Sequence, residues 1–233
     1  MVLKAVLFNL NGVIINDESI HKRLIDELLL EENIIARKDD YKKYCLGIGD
    51  LGLKDLLYSH GRVLEQKYFD NLLERKARAY RENLLQLGSI PSYVGLKELF
   101  EEIKSRSIYL GLISGTLTSE ANLVLEQLKY REFFDIIVGA EELEEPRPDP
   151  KGHLLALEKF NTLFKEKVTP LDILAIESTP VGIAAAKKAN IQVTGVANIY
   201  PFHFMQRMAN WAVDSLADLE LDRLESFFES SQK

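Results

Sequence analysis

Five short apolar runs, at residues 5–8, 110–114, 136–139, 173–177 and 192–197, constrain this chain more than any other feature. Each is nearly continuous rather than alternating. That is the pattern of a strand covered on both faces, and hence of a parallel sheet. Helical periodicity lies between the later runs, over 95–106, 118–128, 153–164 and 180–189, with Thr116 or Thr118 placed to cap the second helix. This alternation of β and α predicts an α/β fold with a doubly wound parallel sheet.

The segment after the first run breaks the alternation. Residues 17–87 carry no strand pattern, but Ile20, Leu24 and Leu28, and later Phe69, Leu72 and Leu73, recur at helical spacing. An all-α insertion over 17–87 is therefore expected, within an α/β core formed by 1–16 and 88–233. A chain of 233 residues has room for both. The Gly-, Pro- and Ser-bearing stretch 87–96 is the natural return linker. Residues 216–228 predict a closing amphipathic helix, and 230–233 are expected to fray.

Ligands of open parallel sheets sit at the carboxyl ends of the strands. Four such ends are unusual here: Asn9-Leu10-Asn11-Gly12, Ser114-Gly115-Thr116, Arg147-Pro148-Asp149-Pro150 and Glu177-Ser178-Thr179-Pro180-Val181-Gly182. Each has a plain alternative. Asn11-Gly12 suits a type I′ hairpin with 13–15 as the returning strand. Ser114 suits a strand-end polar residue or helix cap. Arg147 suits a solvated loop, and Glu177 a carboxylate paired with Arg147 or a lysine.

Taken together and in order, the four segments resemble the haloacid dehalogenase (HAD)-like hydrolase superfamily, in its β-phosphoglucomutase and phosphatase branch with a helical cap. Asn9-Leu10-Asn11-Gly12-Val13 stands where that family has Asp-x-Asp-Gly-Val. Ser114 matches its second motif, Arg147 its lysine before Pro-x-Pro, and Glu177-Ser178 its Glu-Asp. The resemblance covers nearly the whole chain and implies a Rossmann-like core with an inserted all-α cap. It implies a nucleophile at position 9 and an acid/base at position 11. Phosphate contacts would fall on Ser114, Gly115 and Arg147. Mg²⁺ would be held through positions 9, 11, 177 and 178. Cap and substrate contacts would come from Glu18, His21 and Asp50, the last in the loop Gly47-Ile48-Gly49-Asp50-Leu51-Gly52.

The residues present depart from that chemistry. A carboxamide at Asn9 is neutral and far less nucleophilic than a carboxylate, and Asn11 exchanges no proton near neutral pH. Ser178 removes another carboxylate, which leaves Glu177 alone and weakens a hard-cation site. Arg147 keeps the charge of a lysine with a different shape. The expectation is a catalytically impaired member that retains an anion pocket for a small phosphorylated metabolite or inorganic phosphate. An active Mg²⁺-dependent phosphatase or phosphomutase is the alternative.

Composition narrows the partners. Net charge is −7 and no long Lys/Arg block occurs, which argues against nucleic acid. No apolar stretch approaches the roughly 20 residues of a membrane span. A single cysteine, Cys45, and a strand starting almost at the N-terminus lead to an expected cytoplasmic location. Cys45 itself reads as a buried small hydrophobe. His21, His60, His153 and His203 show no metal-ligand spacing. The aromatic-rich stretch of Tyr200, Phe202, Phe204, Met205 and Trp211 is expected to pack as core, with an exposed partner surface as the alternative.

Overall fold

The computed structural model describes residues 2–164 and 167–230. Among these residues six strands form one parallel sheet in the order β3-β2-β1-β4-β5-β6. The strands are β1 (Ala5–Asn9), β2 (Tyr109–Ile113), β3 (Ile136–Val138), β4 (Ile173–Glu177), β5 (Gln192–Val196) and β6 (Trp211–Val213). The chain starts in the middle and winds outward in both directions. The switch point between β2, β1 and β4 therefore gathers three strand ends at one place.

Alternate residues of the strands enter two separate cores. Val6, Phe8, Leu110, Leu112, Leu174 and Ile176 face one side. There they meet α5 (Leu96–Ser105), α6 (Thr118–Gln127) and α10 (Leu221–Ser230). Ala5, Leu7, Ile113, Ile173 and Ala175 face the other side. They pack against α7 (Lys151–Leu163), α8 (Pro180–Lys188) and α9 (Phe202–Met208). Burial on both faces is the reason these strands read as unbroken apolar runs.

The insertion is helical: α1 (Glu18–Glu31), α2 (Asp40–Tyr44), α3 (Gly52–Ser59) and α4 (Gln66–Gln86). It has its own core, in which Ile25, Leu28 and Leu29 pack with Leu53, Leu56, Leu57, Phe69 and Leu72. The two chain crossings between cap and core lie side by side. Asn16 donates its N–H to the Pro91 carbonyl at 2.7 Å, and Tyr93 donates to Ile14 at 3.2 Å.

Several local expectations differ from the structure. No hairpin forms at Asn11-Gly12. Gly12 takes a positive φ of 78° and its N–H is bound by the Ile15 carbonyl, so the chain curls instead of returning antiparallel to β1. The α6 N-cap position falls on Leu117, and neither Thr116 nor Thr118 caps it. Strand β6, only three residues long, carried no pattern long enough to read. The closing helix starts later than expected because residues Leu216–Asp218 form a separate 3₁₀ turn. In the aromatic stretch only Met205 is fully buried, and Phe204 is 46% exposed, because α9 lies over the β5–β6 edge and covers it with one face. Ser230 closes α10, and 231–233 lie outside the described residues. No helix among the described residues is long and apolar enough to cross a membrane.

Candidate functional site

A cavity of about 50 Å³ lies where the cap meets the carboxyl edge of the sheet. From the core come Asn9, Asn11, Gly115, Thr116, Arg147 and Thr179, and from the hinge and cap come Asp17, Glu18, His21, Cys45, Gly49 and Asp50. Of the residues singled out in the sequence, Ser114, Glu177 and Ser178 are buried beside the cavity and do not line it. The Ser114 hydroxyl lies 2.8 Å from Thr116 Oγ1 and accepts the Thr116 N–H, so Thr116 is the hydroxyl at the wall.

Asn9 ends β1 and is 4% exposed. Its Nδ2 donates to the Asn11 carbonyl oxygen at 2.8 Å, and its Oδ1 is buried without a hydrogen-bond partner. Asn11 Nδ2 donates to Asp17 Oδ2 at 2.8 Å and lies 3.0 Å from His21 Nε2. The same Asp17 oxygen is 3.0 Å from His21 Nε2 and accepts the Tyr80 hydroxyl. His21 and Tyr80 stack at 4.5 Å between ring centroids. Asp17 stands at the N-cap position of α1 but makes no capping bond, because its side chain is turned into this network. Burial, with the Asp17 carboxylate beside it, holds the Tyr80 phenol well above its ordinary range.

Arg147 reaches the site from the loop before α7, where the Arg147–Pro148 peptide is cis. It is 6% exposed, with Nη1 3.3 Å from Glu177 Oε1 and Nη2 3.4 Å from the Ile113 carbonyl. Burial raises the Glu177 carboxyl above the usual carboxylate range, and Arg147 acts against that shift. Neighbouring His153 is pushed down to about 3 by burial and by Arg147, so it stays neutral and adds no second cation. Thr179 caps α8 through the Gly182 N–H.

Further contacts join the cap to the core. Gly49 has φ +95°, and a Cβ there would lie 2.6 Å from the Gly115 carbonyl oxygen. Asp50 N–H donates to that same carbonyl at 2.7 Å. Gly49→Ala is therefore expected to cost about 2 kcal/mol, from left-handed backbone strain and overpacking, in a urea melt. An unchanged midpoint would mean that the loop does not rest on Gly115. Deeper in, Lys76 of α4 is fully buried, with Nζ 2.7 Å from Asp50 Oδ1 and 3.4 Å from Glu120 of α6. Asp50 is thus turned toward a lysine of its own cap. Sequence reasoning missed Asp17, Lys76, Tyr80, Thr116 and Glu120. The i,i+4 pairs Asp17/His21 and Lys76/Tyr80 were the available signal.

The family generally uses Mg²⁺, but the donor set here does not fit it. The Asn11 carbonyl is occupied by the Asn9 amide, and Glu177 faces Arg147. Ser178 offers only a hydroxyl, buried without a partner. Among the described residues no three His, Cys, Asp or Glu side chains gather around a possible metal position. A hard divalent cation prefers several anionic oxygens, which Asn9, Asn11 and Ser178 do not supply.

Comparison with known proteins agrees with this frame. A family model described as haloacid dehalogenase-like hydrolase matches residues 6–196. The β-phosphoglucomutase of Bacillus subtilis is 29% identical, over 97% of this chain and 96% of its own length. A β-phosphoglucomutase structure from Clostridium difficile superposes with a TM-score of 0.82 at 23% identity, covering 100% of this chain and 99% of that one. CbbY from Rhodobacter sphaeroides, crystallised in complex with phosphate, has a TM-score of 0.77 at 22% identity, covering 94% and 96%. The chain belongs to the haloacid dehalogenase-like hydrolase family.

Proposed function

We propose that this chain is a ligand-binding member of its family that does not perform aspartyl phosphoryl transfer. Its cavity takes a small phosphorylated metabolite or inorganic phosphate beneath a cap formed by 17–87, on a core formed by 1–16 and 88–233. The observation that carries this reading is the Asn9 side chain. It is neutral, and its nitrogen is committed to the Asn11 carbonyl, so the end of β1 offers no carboxylate oxygen to attack phosphorus. Asn11 is committed in turn to Asp17 and has no proton to exchange near neutral pH.

The anion-binding half is better preserved. Gly115, Thr116 and Arg147 line the cavity. A guanidinium has five N–H donors, and the contacts of Arg147 to Glu177 and Ile113 are long, at 3.3 to 3.5 Å. Donors therefore remain for a phosphate oxygen. The phosphate held by the CbbY neighbour supports this assignment.

The test compares wild type with Asn9→Ala on small sugar phosphates with Mg²⁺, alongside calorimetry with inorganic phosphate. The expected result is equal, background-level turnover in both proteins together with measurable phosphate binding. Turnover in wild type that disappears in Asn9→Ala would overturn the reading. It would favour an active Mg²⁺-dependent phosphatase or phosphomutase.

A further inference from the structure

A ligand in this cavity must satisfy the polar atoms that the fold leaves open. Two of them are buried acceptors on residues that line the cavity: Asn9 Oδ1, in a residue 4% exposed, and Asp17 Oδ1, in a residue 1% exposed. Their chemistry is fixed by their neighbours. Asn9 must turn its NH₂ toward the Asn11 carbonyl, which can only accept, so the oxygen is the atom left over. Asp17 gathers Asn11, His21 and Tyr80 on Oδ2 and leaves Oδ1 with no donor. Glu18 lines the same cavity, half-buried. Lys76 is held by Asp50 and Glu120, and Arg147 stands against Glu177 with only long contacts. One side of the cavity therefore presents oxygen acceptors, two of them on carboxyl side chains, and the other presents Arg147 with the Gly115-Thr116 turn.

A phosphate oxygen would be repelled by the first side. An ammonium group fits it, since it carries positive charge and three N–H donors. We propose that the ligand is a phosphorylated amine, its ammonium held by Asn9 Oδ1, Asp17 Oδ1 and Glu18. The anionic half of this ligand rests on the phospho-ligand reading above, and the ammonium half rests on the two unpartnered acceptors alone. The small volume points to a short aminoalkyl phosphate rather than a long one.

Calorimetry with O-phosphoethanolamine, ethyl phosphate and ethanolamine separates the two halves, using wild type and Glu18→Gln. The glutamine variant keeps the shape of a half-exposed side chain and removes its charge. Phosphoethanolamine is expected to bind wild type at least about tenfold more tightly than ethyl phosphate. Glu18→Gln is expected to remove most of that margin by weakening phosphoethanolamine, with ethyl phosphate bound no less tightly than by wild type. Equal affinities for the two esters would overturn the ammonium site and leave the phospho-ligand reading standing. Binding of ethanolamine with neither ester bound would support the ammonium site and overturn the phospho-ligand reading. Binding of none of the three would overturn both.

Discussion

Replacing Lys76 by methionine is expected to destabilise the protein by about 3–5 kcal/mol, measured by urea unfolding at pH 7. Methionine nearly preserves the volume, so the loss comes from charge rather than from a cavity. Lys76 is fully buried between Asp50 and Glu120, and without it two carboxyl groups remain in the interior with no cation. Burial alone would lower the lysine, but the two acids reverse this and hold it above its ordinary value. With both acids ionised the triad would carry an excess negative charge in a desolvated place. Burial above all raises Glu120 to about 7 from its ordinary 4.5, with Asp50 adding to the rise and Lys76 opposing it. A carboxyl raised in the folded state stabilises the fold fully below about pH 4.5 and loses that contribution as pH climbs through 7. The span corresponds to about 3 kcal/mol. Glu120→Gln should therefore flatten the decline of stability between pH 5 and 8. A Lys76→Met loss under about 1 kcal/mol, or an unchanged pH slope in Glu120→Gln, would show that the triad does not tie cap to core in solution.

The triad also shows where sequence reading stops. Strands β1 to β5 were legible because burial on both faces writes a short apolar run, and their carboxyl ends because Gly and Pro mark the turns. The cap was legible as helix from its 3.6-residue spacing. Lys76, by contrast, sits in a helix dense with Lys, Arg and Glu, and on periodicity it reads as one more solvated charge. Its partners come from a cap loop 26 positions away and a core helix 44 positions away, and only the closed fold brings them together. Asp17 was hidden differently. An aspartate just before a helix reads as an N-cap, and nothing in the sequence says that its carboxylate turns away from the helix toward Asn11. The Asn9-x-Asn11 motif announced that carboxylates were missing from the strand end, but not that one stands a few residues later against the same histidine.

That placement gives Asn11→Asp an expected cost of about 2–4 kcal/mol near neutral pH, although it supplies the aspartate that the motif resemblance places there. In the present chain the Asn11 amide donates to Asp17 at 2.8 Å, and an aspartate would exchange this charge-assisted bond for two carboxylates in contact. One of the pair would be driven to hold a proton that the unfolded chain releases near pH 4. The variant should thus approach wild-type stability below about pH 4 and fall behind as pH rises, the direction required of a carboxyl raised by folding. Adding Asp17→Asn restores one donor and one carboxylate with their places exchanged. The double variant should recover about 1–3 kcal/mol of the loss, a coupling that a double-mutant cycle in urea reads directly. Additive losses would mean that residues 11 and 17 do not sense one another. The same contact sets a condition on reviving phosphoryl transfer. Asn9→Asp, Asn11→Asp and Ser178→Asp together place three new carboxyl groups around a site that already holds Asp17 and Glu177, with Arg147 the one arginine or lysine lining the cavity among the described residues. Activity is expected only when Asp17 is also neutralised, because only then can the side chain at position 11 cycle a proton without a fixed negative charge against it.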